Sequence, residues 1–198
     1  MPRAIGDSRL GGVLTLYHDY TSPASAVAVA RVDRLAAEEG LPIDVVGFEA
    51  LAVDIALPVT ADVRAAVADV APQGRAEGVV LEPPAYLPPT ALAHVVEDVA
   101  VAAGCARQWR ACAYRALWER GVDLSDRDRL LGLAADAGLE APAVTAALDD
   151  RLALAAVRHR AGELRREGVG DVPTILAHRT LVPGLLPADD LRALALAG

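Results

Sequence analysis

The sequence predicts an α/β fold interrupted by a long helical stretch, and three observations carry that reading. First, a short apolar run at residues 13–16 leads into a helix and then into a second apolar run at 43–48. Strand, helix and strand at this spacing make a βαβ unit, with parallel strands and a right-handed crossover. Second, residues 61–166 contain no convincing strand, and helical periodicity dominates there. Third, residues 172–177 are β-branched and apolar, and His178-Arg179 turns them into a second run at 180–182. So short a turn leaves no room for a crossover, so these strands are antiparallel.

The elements follow in order. Val13, Leu14 and Leu16 form the first strand, bounded by Gly11-Gly12. The turn Asp19-Tyr20-Thr21 then enters a helix with Ser22 as N-cap and Pro23 as its first residue, where the missing N–H costs nothing. That helix stops at Gly40, and a strand follows over 43–48. Residues 71–90 carry Pro72, Pro83, Pro84, Pro88 and Pro89 and read as a loose extended connection. Thr90 caps a long helix reaching Arg120, with a kink expected near Gly104. A helix from Ser125 to Gly138 places Asp126 and Asp128 where the helix dipole favours carboxylates. Pro142 opens another, and a further helix covers 152–167. After the final hairpin, Pro183-Gly184 breaks the chain, and 188–197 is a last helix.

Composition narrows the function. Hydrophobic residues make up 54% and aromatics only 4%, so the core is built from Ala, Val and Leu. The formal charge is 19 − 27 = −8, and every one of the cations is Arg. An acidic surface argues against nucleic acid or an anionic membrane as partner, and the lack of Lys excludes a catalytic lysine. No apolar run marks the first twelve residues as a signal peptide, so a cytoplasmic location is expected. Two cysteines are no disulfide scaffold. Cys105 and Cys112 fall on one predicted helix, about 10 Å apart by rise, and read as buried thiols without a metal-site pattern.

The chemistry is expected where the first strand feeds the helix N-terminus. Free N–H groups and the positive end of the dipole converge there, which suits an anion, a thiolate or a polarised oxygen. Ser22 is the candidate ligand-contacting residue, with Ser25 one turn further in. His18 reads as a polar neighbour of this loop. His94, His159 and His178 read as surface or interfacial, and Arg158, Arg160, Arg165 and Arg166 as the solvated face of a helix. No triad around Ser22 is visible, because a nucleophile needs a base in hydrogen-bond reach.

Three stretches resemble a known family. His18-Asp19-Tyr20-Thr21-Ser22-Pro23-Ala24-Ser25 stands at the place of a Cys-x-x-Cys loop. Residues 116–139 are similar to the "LF…G.DISD…L..LA..AGLD" signature of an inserted helical domain. Gly168-Val169-Gly170-Asp171-Val172-Pro173-Thr174 resembles "GV.GVPTF", a cis-proline loop. Together they match the DsbA-like thioredoxin-fold family, near its FrnE-like branch, the 2-hydroxychromene-2-carboxylate isomerases and the kappa-class glutathione transferases.

The resemblance implies a thioredoxin-like domain of residues 13–60 and 168–198 around a helical insertion of 61–167. It implies a cis Val172–Pro173 bond, and a ligand held by Ser22, Tyr20, Pro23, Val172 and Pro173. Ser22 and Ser25 replace both sulfurs of the family's dithiol, and a hydroxyl does not perform thiol–disulfide exchange. The implied ligand is therefore a small thiol or a peptide. Glutathione is the implied cofactor, with Ser22 holding its thiolate as in an isomerase or transferase, and no metal is involved. A non-catalytic protein-binding module is the alternative from another class. No nucleic acid or membrane partner is expected, and a homodimer is open.

Overall fold

The computed structural model describes residues 14–197. The expected strand residue Val13 and the reading of the first twelve residues lie outside that range. The order is β1 (Leu14–His18), α1 (Pro23–Glu39), β2 (Ile43–Gly47), β3 (Leu57–Pro58), α2 (Ala61–Ala76), β4 (Tyr86–Leu87), α3 (Ala91–Ala103) and α4 (Ala106–Arg120). It continues with α5 (Arg127–Asp136), α6 (Ala141–Asp149), α7 (Arg151–Arg166), β5 (Thr174–Ala177), β6 (Thr180–Pro183) and α8 (Ala188–Leu196). The main sheet runs β2-β1-β5-β6, with β1 parallel to β2 and antiparallel to β5, and β5 antiparallel to β6. This is the thioredoxin-type α/β arrangement expected from the sequence.

Side chains on β1 alternate between two cores, as a pleated strand requires. Leu14 and Leu16 pack with Val29, Val32 and Leu191, on the face that α1 and α8 cover. Tyr17 points the other way, to Phe48, Leu164 and Val172, where the end of α7 closes the sheet. Both faces are thereby covered, and the β1–α1 turn is left at the sheet's end.

The helical stretch departs from expectation in three places. Residues 71–76 are not a loose connection but the last turns of α2, which runs through Pro72. Its end is tied down by Arg31, whose guanidinium donates to Gln73 Oε1 and Glu77 Oε1. The strands β3 and β4 pair Leu57 with Leu87 and Pro58 with Tyr86, a ribbon too short to show a period of two. The helix expected over 91–120 is two, because Gly104 adopts a left-handed φ of 74° and closes α3. Cys105 is then the N-cap of α4 rather than a mid-helix residue, and it and Cys112 are half-buried free thiols.

Among the described residues, no helix is long and apolar enough to cross a membrane.

Candidate functional site

Ser22 has extended backbone and caps α1, its Oγ accepting the Ser25 N–H at 3.1 Å. The same hydroxyl donates to the Val172 carbonyl at 3.1 Å, across 150 residues of sequence. The Val172–Pro173 bond is cis, and Pro173 O accepts the Gly184 N–H at 2.8 Å. Ser22, Ser25, Pro23, Val172 and Pro173 are thus brought together around the α1 N-terminus. Ser22 and Ala24 are half-buried while Pro23 and Ser25 are buried, so the site opens to solvent at Ser22 and Ala24.

The first-turn donors can be accounted for one by one. Pro23 has no N–H, the Ser25 N–H goes to Ser22 Oγ, and the Ala26 N–H goes to Ser22 O at 3.2 Å. The Ala24 N–H remains without an acceptor among the described residues, and it sits at the half-buried opening. Ser25 Oγ is fully buried, on the side of the loop that faces Tyr114. Val172 is already engaged on both sides, its N–H donating to Asp171 Oδ1 at 2.7 Å.

Tyr20 turns inward. It is wholly buried and its hydroxyl donates to Glu97 Oε2 at 2.9 Å, so it shapes the floor of the loop rather than its ligand-facing surface. That floor is a buried polar network the sequence reading missed. His18 bridges Tyr114 at 2.8 Å and Glu97 at 3.0 Å, and Tyr114 donates to the Asp19 carbonyl at 3.1 Å. Trp118 Nε1 donates to the Tyr20 carbonyl at 3.0 Å. The Asp19 carboxylate accepts the Ala50 N–H at 2.7 Å and lies 3.4 Å from His94 Nε2. Helix α4 therefore holds the β1–α1 turn from below.

His94 is not a surface residue. It is fully buried, 3.2 Å from Glu97 Oε2. Burial alone would pull its pKa down, but Asp19 and Glu97 outweigh burial and raise it to about 9. The reverse holds for the carboxylates. Burial pushes Asp19 up, and His94 with the Ala50 N–H brings it below the usual aspartate range. Burial likewise opposes ionised Glu97, but His18 and His94 hold it well below the ordinary glutamate value. Burial, then the charge of Glu97, keeps the Tyr20 phenol far above its usual range. Glu49 is another buried carboxyl, without a hydrogen-bond partner for either oxygen among the described residues; burial raises its pKa against the pull of Arg158 at 4.0 Å.

Of the arginines read as a solvated face, Arg158 and Arg165 are exposed and Arg160 is half-buried, and all three also reach back to residues 47–54. Arg165 donates to the Glu49 and Ala50 carbonyls and lies over the Phe48 ring, while Arg160 reaches the Gly47 carbonyl and Arg158 pairs with Asp54. Arg166 is exposed and pairs with Glu163, and His159 and His178 are exposed as expected. His94 and Glu97, three apart where the apolar run of 91–96 ends, were the one available signal for the buried network.

None of these histidines or carboxylates reaches Ser22 Oγ, whose partners are Ser25 N and Val172 O. Among the described residues no base of the kind a serine nucleophile needs is in reach, and Ser22 forms a polar cap at a helix N-terminus. Among the described residues, no group of three His, Cys, Asp or Glu side chains is placed to hold a metal ion.

The model of the DsbA-like thioredoxin domain matches residues 13–196. The chain belongs to the DsbA-like thioredoxin family. No curated protein matches it in sequence. Among solved structures, this DsbA-like chain is similar to a probable DsbA oxidoreductase from Streptomyces coelicolor, at 25% identity and TM-score 0.79, over 93% of this chain and 88% of that one. A 2-hydroxychromene-2-carboxylate isomerase shares the fold at 21% identity and TM-score 0.74, over 93% of each chain. The cytosolic disulfide reductase DsbM of Pseudomonas aeruginosa, solved with GSH, shares it at 22% identity and TM-score 0.65, over 93% of this chain and 97% of that one.

Proposed function

We propose that this DsbA-like protein binds a thiol-bearing or peptide ligand at the α1 N-terminus, between Ser22 and the Val172–Pro173 loop, without performing dithiol chemistry. The observation that carries the proposal is the half-buried Ser22 hydroxyl, bonded across to the Val172 carbonyl at the start of α1, with the neighbouring Ala24 N–H lacking an acceptor among the described residues. A ligand sulfur or carbonyl seated there would accept from Ala24 N–H. It would also accept from the Ser22 hydroxyl once that proton rotates off Val172 O, exchanging one hydrogen bond for another at little net cost. Ser22 and Ser25 stand where the family carries its two sulfurs, so the site retains polarity without a redox couple.

Glutathione fits this opening through its sulfur alone, with Ser22 and Ala24 as the groups that would hold it. Bound there, its thiolate would supply a nucleophile, which is the basis of the second reading, a glutathione-dependent isomerase or transferase. The Ser22 cap favours that reading. A cytoplasmic location fits a reduced-thiol ligand.

Amide NMR shifts during titration with reduced glutathione test the proposal. Saturable shifts are expected at residues 22–25 and 172–174, and they should be lost in Ser22→Ala. Glutathione shifts confined to other surfaces would contradict it, and a protein partner docking here without glutathione would point to a binding module instead.

A further inference from the structure

Val172 is the residue with which an extended ligand would pair, and both its main-chain groups are taken. Its carbonyl accepts from Ser22 Oγ at 3.1 Å, and its N–H donates to Asp171 Oδ1 at 2.7 Å. The two bonds differ in kind. The Ser22 bond is between neutral groups and releases by a single rotation. The Asp171 bond is charge-assisted, and therefore stronger. Asp171 is also held in place, because the Thr174 hydroxyl donates to its carbonyl at 2.7 Å. Asp171 is exposed, and its carboxylate sits on the Val172 N–H. In the "GV.GVPTF" pattern that this loop resembles, the same position is Gly, which can neither fill the N–H nor charge the rim.

We infer that Asp171 sets the ligand specificity of this site, selecting a cationic thiol or peptide over an anionic one such as glutathione. The inference rests on the ligand site proposed above. A ligand carbonyl must displace the Asp171 carboxylate to reach the Val172 N–H, and the freed carboxylate then lies beside the ligand backbone. A guanidinium or ammonium group on the ligand satisfies it there. A second carboxylate repels it, and like charges set side by side are a strong means of rejecting a wrong partner. The net charge of −8 acts in the same direction at longer range.

The test compares two capped tripeptides, acetyl-Arg-Cys-Gly-amide and acetyl-Glu-Cys-Gly-amide, by calorimetry at low salt. The wild type should bind the Arg peptide about three- to fivefold more tightly, the scale of one exposed ion pair. Asp171→Gly should lose that preference and bind the Glu peptide more tightly than the wild type does. Asp171→Asn keeps a side-chain acceptor for the Val172 N–H but removes the charge, so it should lose the preference too. Asp171 is exposed, so both variants are expected to fold. Binding of both peptides with the same preference in all three proteins would overturn this inference and leave the site itself standing. Binding of neither peptide to any of them would overturn both. Salt provides a further check: the wild-type preference should shrink between 20 and 500 mM NaCl, and a salt-independent preference would count against Asp171.

Discussion

Gly47→Ala is the sharpest probe of the buried network, because the structure gives the collision in numbers. A Cβ at position 47 would lie 2.3 Å from His94 Nδ1, 2.9 Å from its Cε1 and 3.1 Å from Glu97 Oε2. Ordinary contact begins at 3.4 Å, so the ring must retreat by about 1 Å. It has little room to do so, with the Tyr20 ring centred 5.0 Å away and the His18 ring 5.7 Å away. Such a shift stretches the 3.2 Å contact with Glu97 beyond hydrogen-bond range. Overpacking costs about 1–3 kcal/mol, and partial loss of a buried ion pair adds to it. The expected total is about 3 kcal/mol, or about 6–12 °C in Tm for a chain of this size. Thermal and urea unfolding would measure it, alone and in a His94→Ala background. There the nearer obstacle is gone and only the 3.1 Å approach to Glu97 Oε2 remains, so Gly47→Ala should cost much less. A change under ~0.5 kcal/mol in the wild type, or equal damage in both backgrounds, would refute the reasoning.

Two further outcomes are expected. Stability should fall on both sides of a plateau. His94 binds its proton more tightly folded than unfolded, so its contribution is complete below pH ~6.5 and is lost as pH rises through about 9. Asp19 and Glu97 hold theirs more weakly when folded, so their contribution is present above pH ~4.5 and lost as pH falls below ~4. Urea midpoints at pH 5.5 and 9.5 check the alkaline limb, which should flatten in His94→Gln. In an insulin-precipitation assay the protein should match buffer, because the α1 cap carries no sulfur. Activity that survives Ser22→Ala but disappears in Cys105→Ser or Cys112→Ser would show that the half-buried thiols, not the cap, do chemistry.

Legibility in the sequence tracked how local the determining interaction is. Ser22-Pro23 at the start of α1 and Gly40 at its end are written in adjacent residues, as is the β5–β6 hairpin around His178-Arg179. The passage of α2 through Pro72 was not legible, because its last turns are held by Arg31, more than forty residues away. The break at Gly104 was visible as a kink but not as two helices, since a glycine inside an apolar run does not announce its φ. At the site, the meeting of Ser22 with Val172 was expected only through the family pattern. Tyr20 was expected at the ligand only through the same family pattern, and it is wholly buried. Its partner Glu97 lies 77 residues on, and nothing local reveals that pairing. The same holds for Asp19 with His94, which lie far apart in sequence.

The central claim is that the α1 N-terminus keeps the polarity to hold a sulfur anion although it carries none. Replacing Ser22 by Cys turns that claim into one number, the pKa of the introduced thiol, read from thiolate absorbance or iodoacetamide reactivity against pH. The Ala24 N–H and the helix dipole both favour the thiolate, so the account predicts a value at least ~1 unit below the free-cysteine level of ~8.5. A value at or above ~8.5 would mean that the cap offers an anion nothing, leaving Ser22 as the start of a helix and no more.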